Sequence, residues 1–172
     1  MRALVLAVVL AVAGCSAQAA QETSGTAATP PELSATDLAF ADLVIPQNTS
    51  TLDALALARP GSELRPVADR VAATYRAELA QLREVLAGAG RPESGQHDGH
   101  DMPGMITAAE LASIEHAPDV DAQLKALLRT QFEEARTVAR AELASGTHPP
   151  VRELGASIDR TRAEFLALLG AA

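Results

Sequence analysis

Apolar residues recur at spacings of three and four along most of this chain, from Leu38 to Leu169. That is the period of a helix with one buried face. Leu38, Ala41, Val44/Ile45, Leu52 and Leu55 predict a first helix, with Pro46 expected to kink its middle. A second stripe runs through Leu64, Val67, Val71, Tyr75, Leu79, Leu82 and Leu86, with Ser62 placed to cap its start. The run AGAGRPESG then ends it. Thr107 and Glu110 form a T-x-x-E capping box that opens a short helix, and Pro118 stops it. A third long helix begins near Asp119, with Val120, Leu124, Leu127/Leu128, Phe132, Ala135, Val138/Ala139 and Leu143 on one side. After SGTHPP the last helix carries Val151, Leu154, Ile158, Phe165, Leu168 and Leu169. No segment alternates with period two, so the expected fold is all-α. Its form is an antiparallel four-helix bundle of two helical hairpins, about 34–88 and 107–170, joined by a linker at 89–106.

The first residues follow a different rule. Met1-Arg2 precedes an apolar run from Ala3 to Val12, which is too short for a bilayer-spanning helix of about 20 residues. Val12-Ala13-Gly14-Cys15 resembles a bacterial lipobox, and Cys15 is the only cysteine. Residues 1–14 therefore read as a lipoprotein signal peptide and Cys15 as the lipidation site. Residues 15–33, rich in Ser, Thr, Ala, Gln and Pro, read as a flexible tether, and 34–172 as the folded domain. The expected location is extracytoplasmic, anchored to the bacterial membrane. The formal net charge is −8, and losing Arg2 with the signal would make it more negative. Such a surface repels phosphate backbones, so nucleic acid is set aside as a partner.

From about Asp37 to Leu169 the chain resembles the exported bacterial proteins of domain of unknown function 305, which implies a ferritin-like bundle. Some members of that family are associated with copper or silver handling. The resemblance rests on Tyr75-Arg76-Ala77-Glu78-Leu79, on Met102-Pro103-Gly104-Met105 followed by Thr107 and Glu110-Leu111, and on Val120-Asp121. It departs where the family pattern carries histidine pairs. The M-I-P-H-H-x-x-A run of the first helix is here Val44-Ile45-Pro46-Gln47-Asn48-Thr49-Ser50-Thr51. The M-x-x-H-H-x-x-A run of the third long helix is Leu128-Arg129-Thr130-Gln131-Phe132-Glu133-Glu134-Ala135. Glu164 fits an acidic position in the last helix, with Thr161 or Arg162 where glutamine belongs. Amide oxygens bind soft or borderline metals poorly and Phe132 offers no ligand, so an internal metal site is not expected. Gln47, Asn48, Gln131 and Phe132 read as polar packing and ordinary core, and Glu78 and Glu164 as solvated helix faces.

The remaining chemistry is concentrated in QHDGHDMPGM, residues 96–105, which holds two of the four histidines and two of the three methionines. His97 and His100, Met102 and Met105, and Asp98 and Asp101 are candidate metal ligands. Thioether with imidazole suits Cu(I), and imidazole with carboxylate suits Cu(II) or Zn(II). The same stretch also reads as a solvated linker pinned by its methionines as apolar plugs. His116 and His148 sit at a helix stop and a turn, where local structural roles are expected. No phosphate loop, nucleophile elbow, H-E-x-x-H, E-x-x-H set or cysteine pair is present, so no enzyme is expected. Two readings follow. One is a lipid-anchored protein that binds or buffers metal, copper favoured, through the linker. The other is an envelope interaction or scaffold module that kept the fold and lost its ligands.

Overall fold

The computed structural model describes residues 32–171. The expected signal peptide, Cys15 and all but the end of the tether lie outside them. Five helices follow in order, α1 (Ala35–Leu55), α2 (Arg65–Gly88), α3 (Ala108–Glu115), α4 (Val120–Ser145) and α5 (Pro149–Ala171). No strand occurs among the described residues. Helix α1 packs on α2 and α4, and α5 packs on α4 and α2. The short α3 lies against α4. No helix among the described residues is long and apolar enough to cross a membrane.

Local chemistry sets most of the boundaries. Ser34 and Asp37 cap α1 reciprocally, and Thr107 and Glu110 do the same for α3. Asp119 caps α4 through Ala122 N–H. Helix α2 ends in a Schellman turn, in which Gly90 takes φ +65° and Arg91 N–H returns to the Leu86 carbonyl. Ser62 does not cap α2. Leu64, fully buried, occupies the cap position without a side-chain bond, and Pro66, second in the helix, brings its preset φ to the first turn. Burial of Leu64 fixes the approach of the chain, which leaves the Ser62 hydroxyl without a partner. Pro46 lies inside α1 and the helix runs through it unbroken.

The core consists of two apolar clusters. One gathers Leu64, Val71, Tyr75, Leu124, Leu128, Phe132 and Phe165, and the other Phe40, Val44, Leu79, Leu82, Ala139, Leu154 and Ile158. In α1, α2 and α5 buried polar residues fall in sequence between the two sets, and in α4 one falls immediately before Phe132, its last residue of the first set. They are Gln47 and Asn48 in α1, Glu78 in α2, Gln131 in α4 and Arg162 in α5, all buried. A polar layer thus divides the hydrophobic interior.

Candidate functional site

The polar layer is built around one arginine. Arg162 falls on the buried stripe of α5 between Ile158 and Phe165, so its helix position carries it inward. It has no exposed surface, and its guanidinium grips Glu78 at 2.6 and 2.7 Å through two nitrogens. It also donates to Asn48 Oδ1 at 3.0 Å, while Asn48 Nδ2 donates to Glu78 Oε2 at 2.9 Å. The guanidinium carbon lies 3.9 Å from the centre of the Tyr75 ring, a cation–π contact. The Tyr75 hydroxyl donates to Gln131 Oε1 at 2.6 Å. Four helices are joined by these contacts.

Burial works against the Arg162 charge. Contact with Tyr75 and the ion pair with Glu78 outweigh it and hold the guanidinium above its usual pKa. Burial likewise keeps the Tyr75 phenol protonated, although Arg162 pulls the other way. Glu78 therefore faces a permanent cation supplied by the chain itself. The expectation that Glu78 lies on a solvated face is overturned, because Arg162 provides the countercharge that makes its burial tolerable. Glu164 does stay half exposed, 3.5 Å from Arg70. Sequence reasoning placed Arg162 only as a substitute for glutamine. Its position on the α5 stripe was the signal that could have found it.

The linker forms a chain of tight turns above this layer. His100 N–H reaches the His97 carbonyl at 3.2 Å, with Gly99 at φ +71° between them. The two imidazoles meet edge to face with centroids 6.1 Å apart. Met105 N–H then returns to the Met102 carbonyl at 2.9 Å across Pro103 and Gly104, a type II turn with Gly104 at φ +80°. Both turns place a glycine third, at a positive φ that L-residues rarely adopt. The methionines, however, face different surroundings. Met105 is buried and Met102 half buried, and both line a cavity of about 290 Å³ with Asp101, Glu110, Leu127 and Gln131. Asp98 lies instead beside Asp42, Pro46 and Glu93 in a separate cleft. Among the described residues, no three His, Cys, Asp or Glu side chains converge closely enough to hold a metal ion. The structure pairs His97 with His100 and Met102 with Met105, and leaves Asp98 apart from Asp101.

Besides the ion pair of Arg83 with Glu93 at 2.8 Å, three hydrogen bonds seat the linker on the helices. Gln47 Nε2 donates to the Pro103 carbonyl at 3.3 Å, Ile106 N–H to Ser50 Oγ at 3.2 Å, and Ser94 Oγ to Asp42 at 2.8 Å. A methyl group on Gly104 would lie 2.6 Å from Gln47 Nε2 and 3.1 Å from Glu134 Cβ, at a backbone angle that L-residues rarely adopt. Gly104→Ala should therefore cost about 2 kcal/mol. Urea unfolding of the full chain checks it; a loss under about 0.5 kcal/mol would mean the turn relaxes freely. The other two histidines have structural roles, His116 within its own helix and His148 across the fold. His116 ends α3 and its Nδ1 lies 2.7 Å from the Ala112 carbonyl. His148, buried in the α4–α5 turn, gives its backbone N–H to Asp37.

The family described as Domain of unknown function (DUF305) matches residues 37–170. No curated protein matches the sequence. Three solved structures share the fold, each at a TM-score of 0.71. A DUF305 fragment from Deinococcus radiodurans is 20% identical, covering 82% of this chain and 97% of its own. A DUF305 protein from Streptomyces coelicolor is 17% identical, with 78% and 89% covered. CopM in its Cu(II)-bound form is 16% identical, with 78% and 93% covered. With the family pattern spanning the whole folded part and its helices arranged as in these structures, the chain belongs to the DUF305 family.

Proposed function

We propose that this protein is a lipid-anchored, extracytoplasmic member of the family that binds and buffers metal ions, copper favoured, through its central linker. In this reading the four long helices form two antiparallel hairpins, Cys15 holds the protein to the membrane, and no catalysis is assigned. The observation that carries it is the side-by-side placement of His97 and His100 in one turn, immediately before the Met102–Met105 turn. An imidazole pair reachable from solvent, with a thioether nearby, suits copper in either oxidation state. Met102 and the flanking Asp98 and Asp101 complete the accessible donors, and buried Met105 would join only after the turn opens. Copper bound to CopM, a structure of the same fold, supports the choice of metal. Because a loop must lose conformational freedom to close on an ion, the affinity is expected to be modest.

A second reading is favoured by the Arg162–Glu78 pair, which occupies the interior with the protein's own charges. It makes the chain an envelope interaction module without metal. Titration of the full chain with Cu(I), Cu(II) and Zn(II) separates the two. The comparison is a variant with His97, His100, Met102 and Met105 all changed to Ala. Copper binding that is lost in the variant supports the linker site. Equal binding by both proteins, or none by either, removes it.

A further inference from the structure

A second buried polar cluster lies at the start of α1, away from the linker. Asp37, 1% exposed, accepts five hydrogen bonds. They come from Ser34 N–H at 2.6 Å and Ser34 Oγ at 2.5 Å, from Thr147 N–H at 3.1 Å and Thr147 Oγ1 at 3.3 Å, and from His148 N–H at 3.1 Å. Glu142 of α4, also 1% exposed, meets no donor at either carboxyl oxygen. A side chain at position 146 would collide with it, since a methyl there would lie 1.8 Å from Oε1. Gly146 thus makes the room in which this carboxyl sits.

The two acids have opposite needs. Five donors make Asp37 the ionised member. A bare carboxylate on Glu142 would be buried without a partner, close to the negative end of the α4 dipole. A protonated Glu142 removes that cost and donates to Asp37. We propose that Asp37 and Glu142 share one proton as a latch between the first turn of α1 and the α4–α5 turn, closed in mildly acidic medium and released as the pH rises. The facing charged and titratable groups are Asp37 from α1, Arg152 from α5, whose charge weakly opposes the latch, and the buried His148 at the start of α5.

The direction of pH dependence follows from both members. Burial first, then the hydrogen bond and charge of Asp37, push Glu142 up to about 7 from an ordinary 4.5. For Asp37, burial pushes upward, but the Ser34 hydroxyl and the His148 and Ser34 N–H groups outweigh it and hold it below its ordinary 3.8. The stabilisation from Glu142 is complete below 4.5 and is lost as the pH passes through 7. That from Asp37 is present above 3.8 and is lost only in stronger acid. The latch is tightest between those limits.

The test is a ¹³C NMR titration of the Glu142 side-chain carboxyl in the full chain, with amide exchange at Thr147 and His148. The carboxyl should remain protonated at pH 5.5 and titrate near 7. Protection of the two amides, corrected for intrinsic exchange, should fall about tenfold per pH unit between 4.5 and 7 and level off above 7. Glu142→Gln, which keeps a donor and removes the proton, should abolish the pH dependence of protection. A Glu142 carboxyl that titrates at its ordinary value, or protection equally pH-dependent in Glu142→Gln, would overturn the proposal. Because the carboxyl titration is read on the unaltered chain, misfolding of the variant would not prevent a decision.

Discussion

Arg162→Met is expected to destabilise the folded state by about 3–5 kcal/mol, the usual result of breaking a buried ion pair from one side. The substitution removes the bidentate contacts to Glu78, the bond to Asn48 and the cation over Tyr75 together. Glu78, 5% exposed, keeps only the Asn48 amide as a donor. The double variant Arg162→Met with Glu78→Met should recover most of the loss, because two apolar chains of similar length leave no uncompensated charge. Urea unfolding of the four proteins of this cycle measures the coupling directly. A single variant within about 1 kcal/mol of the parent would show that Glu78 finds water or another partner, and the central role given to Arg162 would fall.

Phe132→Ala is expected to cost about 3–5 kcal/mol for a different reason. Phe132 is fully buried, edge-on to Tyr75 with centroids 6.5 Å apart and tilted against Phe165 at 5.6 Å. Its neighbours come from α2 and α5, so collapse around the vacated space would have to move two helices. Phe132→Leu, which keeps most of the volume, should lose less than half as much. The Phe132 ring braces the Tyr75 ring on which Arg162 rests. Thermal unfolding should show the same order, and equal midpoints for the two variants would indicate that the site relaxes without a cavity.

Much of the fold was legible in the sequence because its determinants are local. Capping at Thr107, the start of α4 near Asp119, the glycine stop after α2 and the apolar stripes each depend on residues within one or two turns. The turns of the linker were legible for the same reason. The surroundings of its side chains were not: Met105 is buried by α4, far along the chain, and Asp98 is drawn toward α1. Stripes also failed at their ends. Leu143 was expected to close the buried face of α4, yet Glu142 is buried there, because Asp37 approaches from α1 and Gly146 leaves space.

Two glutamates show the limit most clearly. Ala77-Glu78-Leu79 and Ala163-Glu164-Phe165 are nearly the same local pattern, yet Glu78 is buried and Glu164 is half exposed. Their flanks on the helix face differ: Glu78 lies between buried Tyr75 and Leu82, and Glu164 between half-buried Thr161 and Leu168. By itself the sequence determined the helices, their breaks, the family and the absence of the paired histidines. Tertiary structure alone decided which charges went inside. Burying a carboxylate is tolerable only beside a countercharge or a shared proton. For Glu78 that countercharge comes from Arg162, 84 residues away. For Glu142 the partner is Asp37, brought to the end of α4 by the packing of α1.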